Sequence, residues 1–407
     1  MTNKQRADLT YKDNLRRGRH GWIRLTPAYS VKIVREILDQ HPNTEFILEP
    51  FSGTGTTGLV AAQRGLSCDL YDINPFLVWL ADVKCAVYSD SQIAHTRELG
   101  QEIIRLVRTY GDVGEALWTP PISNIERWWS KSKLVTLAKI FQSINSLVPC
   151  ARQERDLLLI AFCRLVINWS NAAFNHQSIS FRNNDNQQHL LFSEDEGIFQ
   201  SFISILSEIL SAASEYIPGT VSAYLHDARH IESKTSVQYD VVITSPPYPN
   251  RMSYIRELRP YMFWLGFLKR AGDAGELDWD AIGGTWGIAT SRLNDWTPEN
   301  GHGDIPSLYP LIEEIAQSSN VLSRYIHRYF ADMSHHFSSL HDVVAPEGKL
   351  FYIIGNSKFY NTLVPAEQLY AELMEKHGFE DACIKTIRKR NSKKELYEYL
   401  VTARKPS

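Results

Sequence analysis

The stretch Phe46-Ile47-Leu48-Glu49-Pro50-Phe51-Ser52-Gly53-Thr54-Gly55-Thr56-Thr57-Gly58 decides how the chain is built. Phe46 to Leu48 is a short apolar run that predicts a buried strand. Leu59 to Gln63 continues as a helix that Gly65 closes. Between them, Gly53 and Gly55 permit a tight turn and let a ligand approach the backbone. Amides at the start of the following helix point at that ligand. Leu66 to Tyr71 predicts a second strand that ends in Asp72. An acid after the second strand of a βαβ unit is placed to accept hydrogen bonds from ribose hydroxyls. Asp72 could equally cap a helix that starts near Pro75. No Gly-Lys-Ser/Thr follows the glycines, so the turn is not a phosphate loop.

A second stretch, Tyr239-Asp-Val-Val-Ile-Thr-Ser-Pro-Pro-Tyr248, repeats the pattern of a buried run followed by a special turn. Val241 to Ile243 predicts a strand. Pro246 and Pro247 fix φ and carry no N–H, so the chain leaves the sheet as a stiff corner. The Ser245 hydroxyl and the Pro246 carbonyl are acceptors there, and Tyr248 offers a flat ring. Two acceptors beside an aromatic plate suit an exocyclic amine on a planar base. Taken alone, a Pro-Pro-Tyr string reads as an ordinary proline turn.

Together the two stretches are specific. Glu49 to Thr57 resembles the S-adenosylmethionine loop of DNA amino-methyltransferases, and Thr244-Ser-Pro-Pro-Tyr248 resembles their catalytic motif. Asp72-Ile73-Asn-Pro75 is similar to that family's acidic step after the second strand. His226-Asp227 is similar to a third motif, whose acid bonds the adenine amino group. Thr26-Pro-Ala28 is similar to the segment that closes over the methionine end. The resemblance implies a Rossmann-like, doubly wound α/β fold with a seven-stranded sheet. It implies S-adenosylmethionine contacts at Thr26, Glu49, Phe51, Ser52, Gly53, Thr54, Gly55, Thr56, Thr57, Asp72, Ile73, Asp227 and Thr244. It implies catalysis by Ser245, Pro246, Pro247 and Tyr248.

The catalytic domain is expected over 1–90 and 221–407, with a helical insertion over 91–220. Apolar residues at helical spacing mark Ile103 to Val107, Leu134 to Leu147, Leu157 to Ile167 and Ile198 to Leu210. As the longest unassigned stretch, the insertion is the expected target-recognition region. Asn175, His176, Gln177 and Arg182 in it can read base edges, although composition alone equally supports a solvated loop. Trp128 and Trp129 read as anchors of a small core. Arg251 and Arg256, after the catalytic corner, are candidate phosphate contacts that could instead pair with Glu257. Gly272 to Gly303 reads as a long loop, a candidate lid. Leu311 to Leu340 predicts one helix, and Ala382–Ile387 with Tyr397–Ala403 a closing antiparallel pair.

Composition bounds the rest. The chain has 407 residues and a net charge of −3, with basic clusters near both ends that could meet a polyanion. Its five cysteines are dispersed with no CxxC pair, which argues against a zinc site and fits a reducing cytosol. No apolar run reaches membrane-spanning length and no secretory signal is visible. A cytoplasmic, nucleoid-associated protein of a prokaryote or phage is expected, acting as a monomer or weak dimer on double-stranded DNA beside a cognate restriction endonuclease. Serine at position 245 favours cytosine N4 as the target. The motif order, cofactor loop first and catalytic corner late, departs from the arrangement common in cytosine-N4 enzymes, and keeps adenine N6 open. An RNA or protein amino-methyltransferase and a non-catalytic DNA-binding subunit are the other readings. Methylation at cytosine C5 is excluded: the Pro149-Cys150 pair lacks the context of an activated thiolate.

Overall fold

The computed structural model describes residues 6–109, 117–148, 152–173, 180–181, 193–232, 238–285, 288–298, 305–390 and 395–407. Its centre is a seven-stranded sheet. The strands are β1 (Phe46–Glu49), β2 (Ser67–Asp72), β3 (Thr220–Leu225), β4 (Tyr239–Thr244), β5 (Val344–Gly355), β6 (Glu380–Lys389) and β7 (Tyr397–Arg404). Their order across the sheet is β6-β7-β5-β4-β1-β2-β3. From β5 to β3 neighbours run parallel, and β7 lies antiparallel between β5 and β6. This is the doubly wound α/β fold expected from the sequence.

Alternation along the strands explains the layers. Ile47, Val241, Ile243, Phe351 and Ile353 face one side, in a core with Val31, Val34 and Ile37 of α1 (Val31–Gln40) and Val60 of α2 (Thr56–Gln63). Leu48, Val242, Leu350, Tyr352 and Ile354 face the other, against α9 (Asn320–Val343) and α10 (Ala366–Lys376). Parallel strands covered on both faces carry apolar runs, Phe46 to Leu48 in β1 and Val241 to Ile243 in β4. Ser30 caps α1 by accepting from the Lys32 amide. Asn74, not Asp72, caps α3 (Pro75–Cys85), which leaves Asp72 to other partners.

Between α3 and β3 the chain forms α4 (Asp90–Thr109), α5 (Lys131–Leu147), α6 (Gln153–Asn168) and α7 (Glu194–Ala213). These helices do not stand apart. Their core is continuous with Phe76, Leu77 and Leu80 of α3 and with α8 (Tyr254–Trp264). Trp264 of α8 is its aromatic centre, with ring centroids 5.1 Å from Phe162 and 5.9 Å from Trp129. Trp128 and Trp129 are both buried there, as read from the sequence.

Two expectations are corrected. The stretch read as one helix over Leu311–Leu340 is two, Leu308–Ser318 and α9, because the Ser319 hydroxyl takes the Leu322 amide and starts a new helix. The supposed long loop after Gly272 contains helices Asp273–Asp280 and Ile288–Arg292. The Asp273 carboxylate accepts the Lys269 and Arg270 amides at the start of the first, and Ala274 and Asp278 are buried.

One buried cation fastens the helical unit to the sheet. Arg19 is fully buried, and its guanidinium donates to the carbonyls of Lys84 and Ala86 at the end of α3 and of Ala212, Ala213 and Glu215 at the end of α7. Helix C-termini leave carbonyls unpaired and carry partial negative charge, so a planar five-donor cation suits both at once. Arg19→Met strands those carbonyls without water. We expect it to lower unfolding free energy by about 3 kcal/mol or more in a denaturant titration.

Candidate active site

The sheet order reverses between β1 and β4. Connections from the two strands leave in opposite directions and open a crevice at their C-terminal ends. Both special turns sit there. A single cavity, with about 970 Å³ of space not filled by protein atoms and partly continuous with solvent, is lined by the turn after β1 and the turn after β4.

The first turn is shaped by its glycines and by Asp72. Gly53 and Gly55 have φ of 50° and 70°, in the left-handed region. A Cβ at Gly55 would lie 3.0 Å from the Ala81 Cβ, so α3 also demands glycine there. The Asp72 carboxylate accepts from the Gly53 amide at 2.9 Å and the Asn74 amide at 2.9 Å. Burial pushes its carboxyl up to about 6, against the pull of these amides. The Ser52 hydroxyl is buried on the cavity wall with no hydrogen-bond partner among the described residues.

Of the sequence-predicted cofactor contacts, Phe51, Ser52, Gly53, Thr54, Thr56, Asp72, Ile73 and Asp227 line the cavity. Thr26, Glu49, Gly55, Thr57 and Thr244 stand outside that lining, and several of them support it. Glu49 is fully buried. It accepts the Tyr29 hydroxyl, and the Thr57 amide at 3.3 Å. Tyr29 also meets the Thr57 hydroxyl, which donates to the Ile243 carbonyl of β4 at 3.4 Å. Burial drives the Glu49 carboxyl well above its ordinary range. Thr26 is held from the other side, its hydroxyl donating to Glu257 of α8 at 2.8 Å and its amide reaching the same carboxylate. Pro27 and Ala28, next in the chain, line the cavity.

Asp227 was read from the sequence; its partner Arg229 was not. The Arg229 guanidinium grips both Asp227 oxygens, donates to Asp332 at 3.2 Å, and reaches the Asp280 carbonyl at 2.8 Å. Burial acts to raise the Asp227 carboxyl, but the Arg229 bonds and charge hold it below the ordinary value. Asp278, Asp280, Ala281, Ile282 and Gly284 close the far wall, so part of the supposed loop does cover the cavity. The Ser253 hydroxyl donates to Asp278 at 2.6 Å, and Trp279 is packed under the Arg328 guanidinium.

The second turn is held by tyrosines. The Tyr248 amide donates to the Tyr254 hydroxyl at 2.9 Å, the Arg251 amide to Tyr325 at 3.1 Å, and the Tyr329 hydroxyl to the Pro247 carbonyl at 2.7 Å. Ser245 donates to the Ile353 carbonyl of β5 at 3.0 Å, which uses its proton and leaves its lone pairs as acceptors. Among the described residues no hydrogen bond reaches the Pro246 carbonyl. Ser245 and Pro247 line the cavity, and Pro246 and Tyr248 are their chain neighbours in the same corner. The Tyr248 hydroxyl donates to Glu398 at 3.0 Å, and the Arg390 guanidinium lies 5.3 Å from its ring.

The expected DNA contacts divide. Arg251 is exposed, one position before the lining residue Met252, with φ of 61°. Arg256 is half-buried, its Nε without a partner among the described residues, and Glu257 belongs to Thr26 instead. Asn175, His176, Gln177 and Arg182 lie outside the described residues.

The lining tests which cofactor fits. It contains Asp72, Asp227, Asp278 and Asp280 but no lysine or arginine. Such a wall repels phosphates and suits a ligand with sulfonium and ammonium charges. The unpartnered Ser52 hydroxyl, the Asp72 carboxylate and the Phe51 ring meet what a nucleoside presents. No described helix is long and apolar enough to cross a membrane.

No protein-family model matches the chain. Curated relatives do. The Type II methyltransferase M.BsoBI of Geobacillus stearothermophilus is 21% identical over an alignment of 434 positions, covering 96% of this chain and 85% of that protein. The Type II methyltransferase M.AvaI of Nostoc sp. is 21% identical, covering 92% and 82%. The Type II methyltransferase M.MvaI of Kocuria varians is 20% identical, covering 87% and 79%. With the fold and the cavity, these alignments make the chain a homologue of Type II methyltransferases along nearly its whole length.

Proposed function

We propose that this protein transfers a methyl group from S-adenosylmethionine to the exocyclic N4 amine of cytosine in duplex DNA. One observation carries the reading: a glycine turn and an amine-accepting corner share one acid-lined cavity at the switch point of the sheet. When bound, the cofactor supplies an electrophilic methyl on a cationic sulfur. Asp72 accepts from its ribose, Asp227 from its adenine amine, and Pro27 with Ala28 covers its methionine end. Ser245 and the Pro246 carbonyl accept the two amine hydrogens of the target base. That turns the nitrogen lone pair toward the methyl and relieves charge as the bond forms. Tyrosines 254, 325 and 329 hold the corner rigid, so most of the rate comes from positioning. The base must leave the helix to reach this depth, and the Tyr248 ring meets it by its face.

Serine rather than a carboxylate or amide at position 245 supports cytosine over adenine. A role beside a site-specific endonuclease belongs to the same proposal. The exposed Arg251 and the helical unit over 90–213 are the proposed DNA contacts. Digesting labelled product DNA to nucleosides should yield N4-methylcytosine; N6-methyladenine would move the target, and label in RNA or protein alone would end the DNA reading.

Ser245→Ala removes an acceptor from the amine and none from the cofactor. Its single-turnover rate should fall by roughly a hundredfold or more while cofactor affinity stays within about threefold. Equal loss of both would contradict the role given to Ser245. Asp72 supplies a pH test. Its carboxyl is ionised above about 6 and protonated below. Cofactor affinity should therefore be full above that value and weaken as pH falls through it, at most about tenfold per unit. Calorimetry across this range should show the fall in the wild type and a flat profile in Asp72→Asn.

A further inference from the structure

The last strand of the sheet reaches the catalytic corner. Glu398 on β7 is buried between a cation and a phenol. The Arg388 guanidinium of β6 binds it in two places, at 2.7 and 3.0 Å. Its Oε1 also accepts the Tyr248 hydroxyl at 3.0 Å. Arg390 is anchored separately, by the Tyr397 and Asn356 carbonyls, and covers one face of the Tyr248 ring. In the amine-methyltransferase reading the target base takes the other face. The ring is therefore fixed at its hydroxyl, at its amide by Tyr254, and on one face.

A phenol that donates to a carboxylate gains electron density in its ring. The face of such a ring attracts positive charge more strongly. In amine methylation the target nitrogen gains a methyl as the carbon–sulfur bond breaks. The base is then cationic until the amine proton leaves to solvent. Positive charge thus appears on the base in the transition state and is absent from the bound substrate. An interaction that strengthens only with that charge lowers the barrier without tightening the ground state. The Arg390 cation on the opposite face works against this, which makes the carboxylate at the hydroxyl the group that restores the ring's attraction.

We propose that Glu398 is a positioning residue for methyl transfer, acting through the Tyr248 hydroxyl to orient the ring and enrich its face toward the developing cation; this rests on the amine-methyltransferase reading above. The test is a double-mutant cycle with Tyr248→Phe and Glu398→Gln. Tyr248→Phe keeps the ring and leaves the Glu398–Arg388 pair intact; because it also removes the 3.3 Å contact from the Ser245 hydroxyl, it is read together with Glu398→Gln, which leaves that contact in place. Each single variant should slow single-turnover transfer by about tenfold, and the pair together no more than either alone. Dissociation constants for the cofactor and for duplex DNA, measured separately, should stay within about twofold of the wild type. Multiplicative losses, an unimpaired Tyr248→Phe, or losses confined to the dissociation constants would overturn the proposal while the wild type still methylates DNA. No transfer by the wild type would remove the proposed function itself, and this role with it.

Discussion

The carboxyl of Glu49 holds the molecule's two working turns in register. It ends β1, sits in the core without solvent, and is reached by the Tyr29 hydroxyl and the Thr57 amide. Thr57 in turn reaches the Ile243 carbonyl on β4. One buried group thus joins the N-terminal segment, the glycine turn, the first turn of α2 and the strand that carries Ser245. A charged carboxylate there would face a large desolvation cost, and burial accordingly raises its proton affinity. An acid whose two oxygens each accept a hydrogen bond is a satisfied core group with directional bonds, and it fixes geometry that apolar packing alone would leave loose.

This arrangement separates residues that touch the cavity from residues that shape it. Both kinds lie within one short string, Glu49 to Thr57. Glu49 at the strand's end and Thr57 in the helix's first turn point into protein, while Phe51 to Thr54 and Thr56 face the crevice. The same separation recurs at the second corner, where Ser245 and Pro247 face the cavity and Tyr248 is tied back to β7. Motif membership therefore marks a neighbourhood, and burial decides what each member does in it.

Strands β1, β2 and β4 and the two turns could be read directly, because each combines an apolar run with residues that force a chain reversal. The doubly wound sheet was what the family resemblance of those two turns implied. The helices of the middle region were readable from periodicity, but not their shared core with α3 and α8, since packing between distant segments leaves no periodic trace. Ser319 split a helix because one hydroxyl offered the backbone an alternative partner. Arg229, Glu398, Tyr254 and Tyr329 were not found for a related reason. Glu398 and Tyr329 act through partners placed by topology rather than spacing: Glu398 meets a tyrosine 150 positions earlier. Arg229 gave the nearest thing to a local signal, two residues after Asp227.

The indole of Trp264 has a mechanical consequence. It sits at the end of α8, and α8 starts at Tyr254, whose hydroxyl holds the backbone of the catalytic corner. Its ring is wedged among Trp129 and Phe162 of the helical unit. Close-packed interiors transmit displacement instead of absorbing it. Any load that tips the helical bundle is levered along α8 to the corner itself. The outer half of the molecule and the floor of the crevice are, in effect, two ends of one rigid arm.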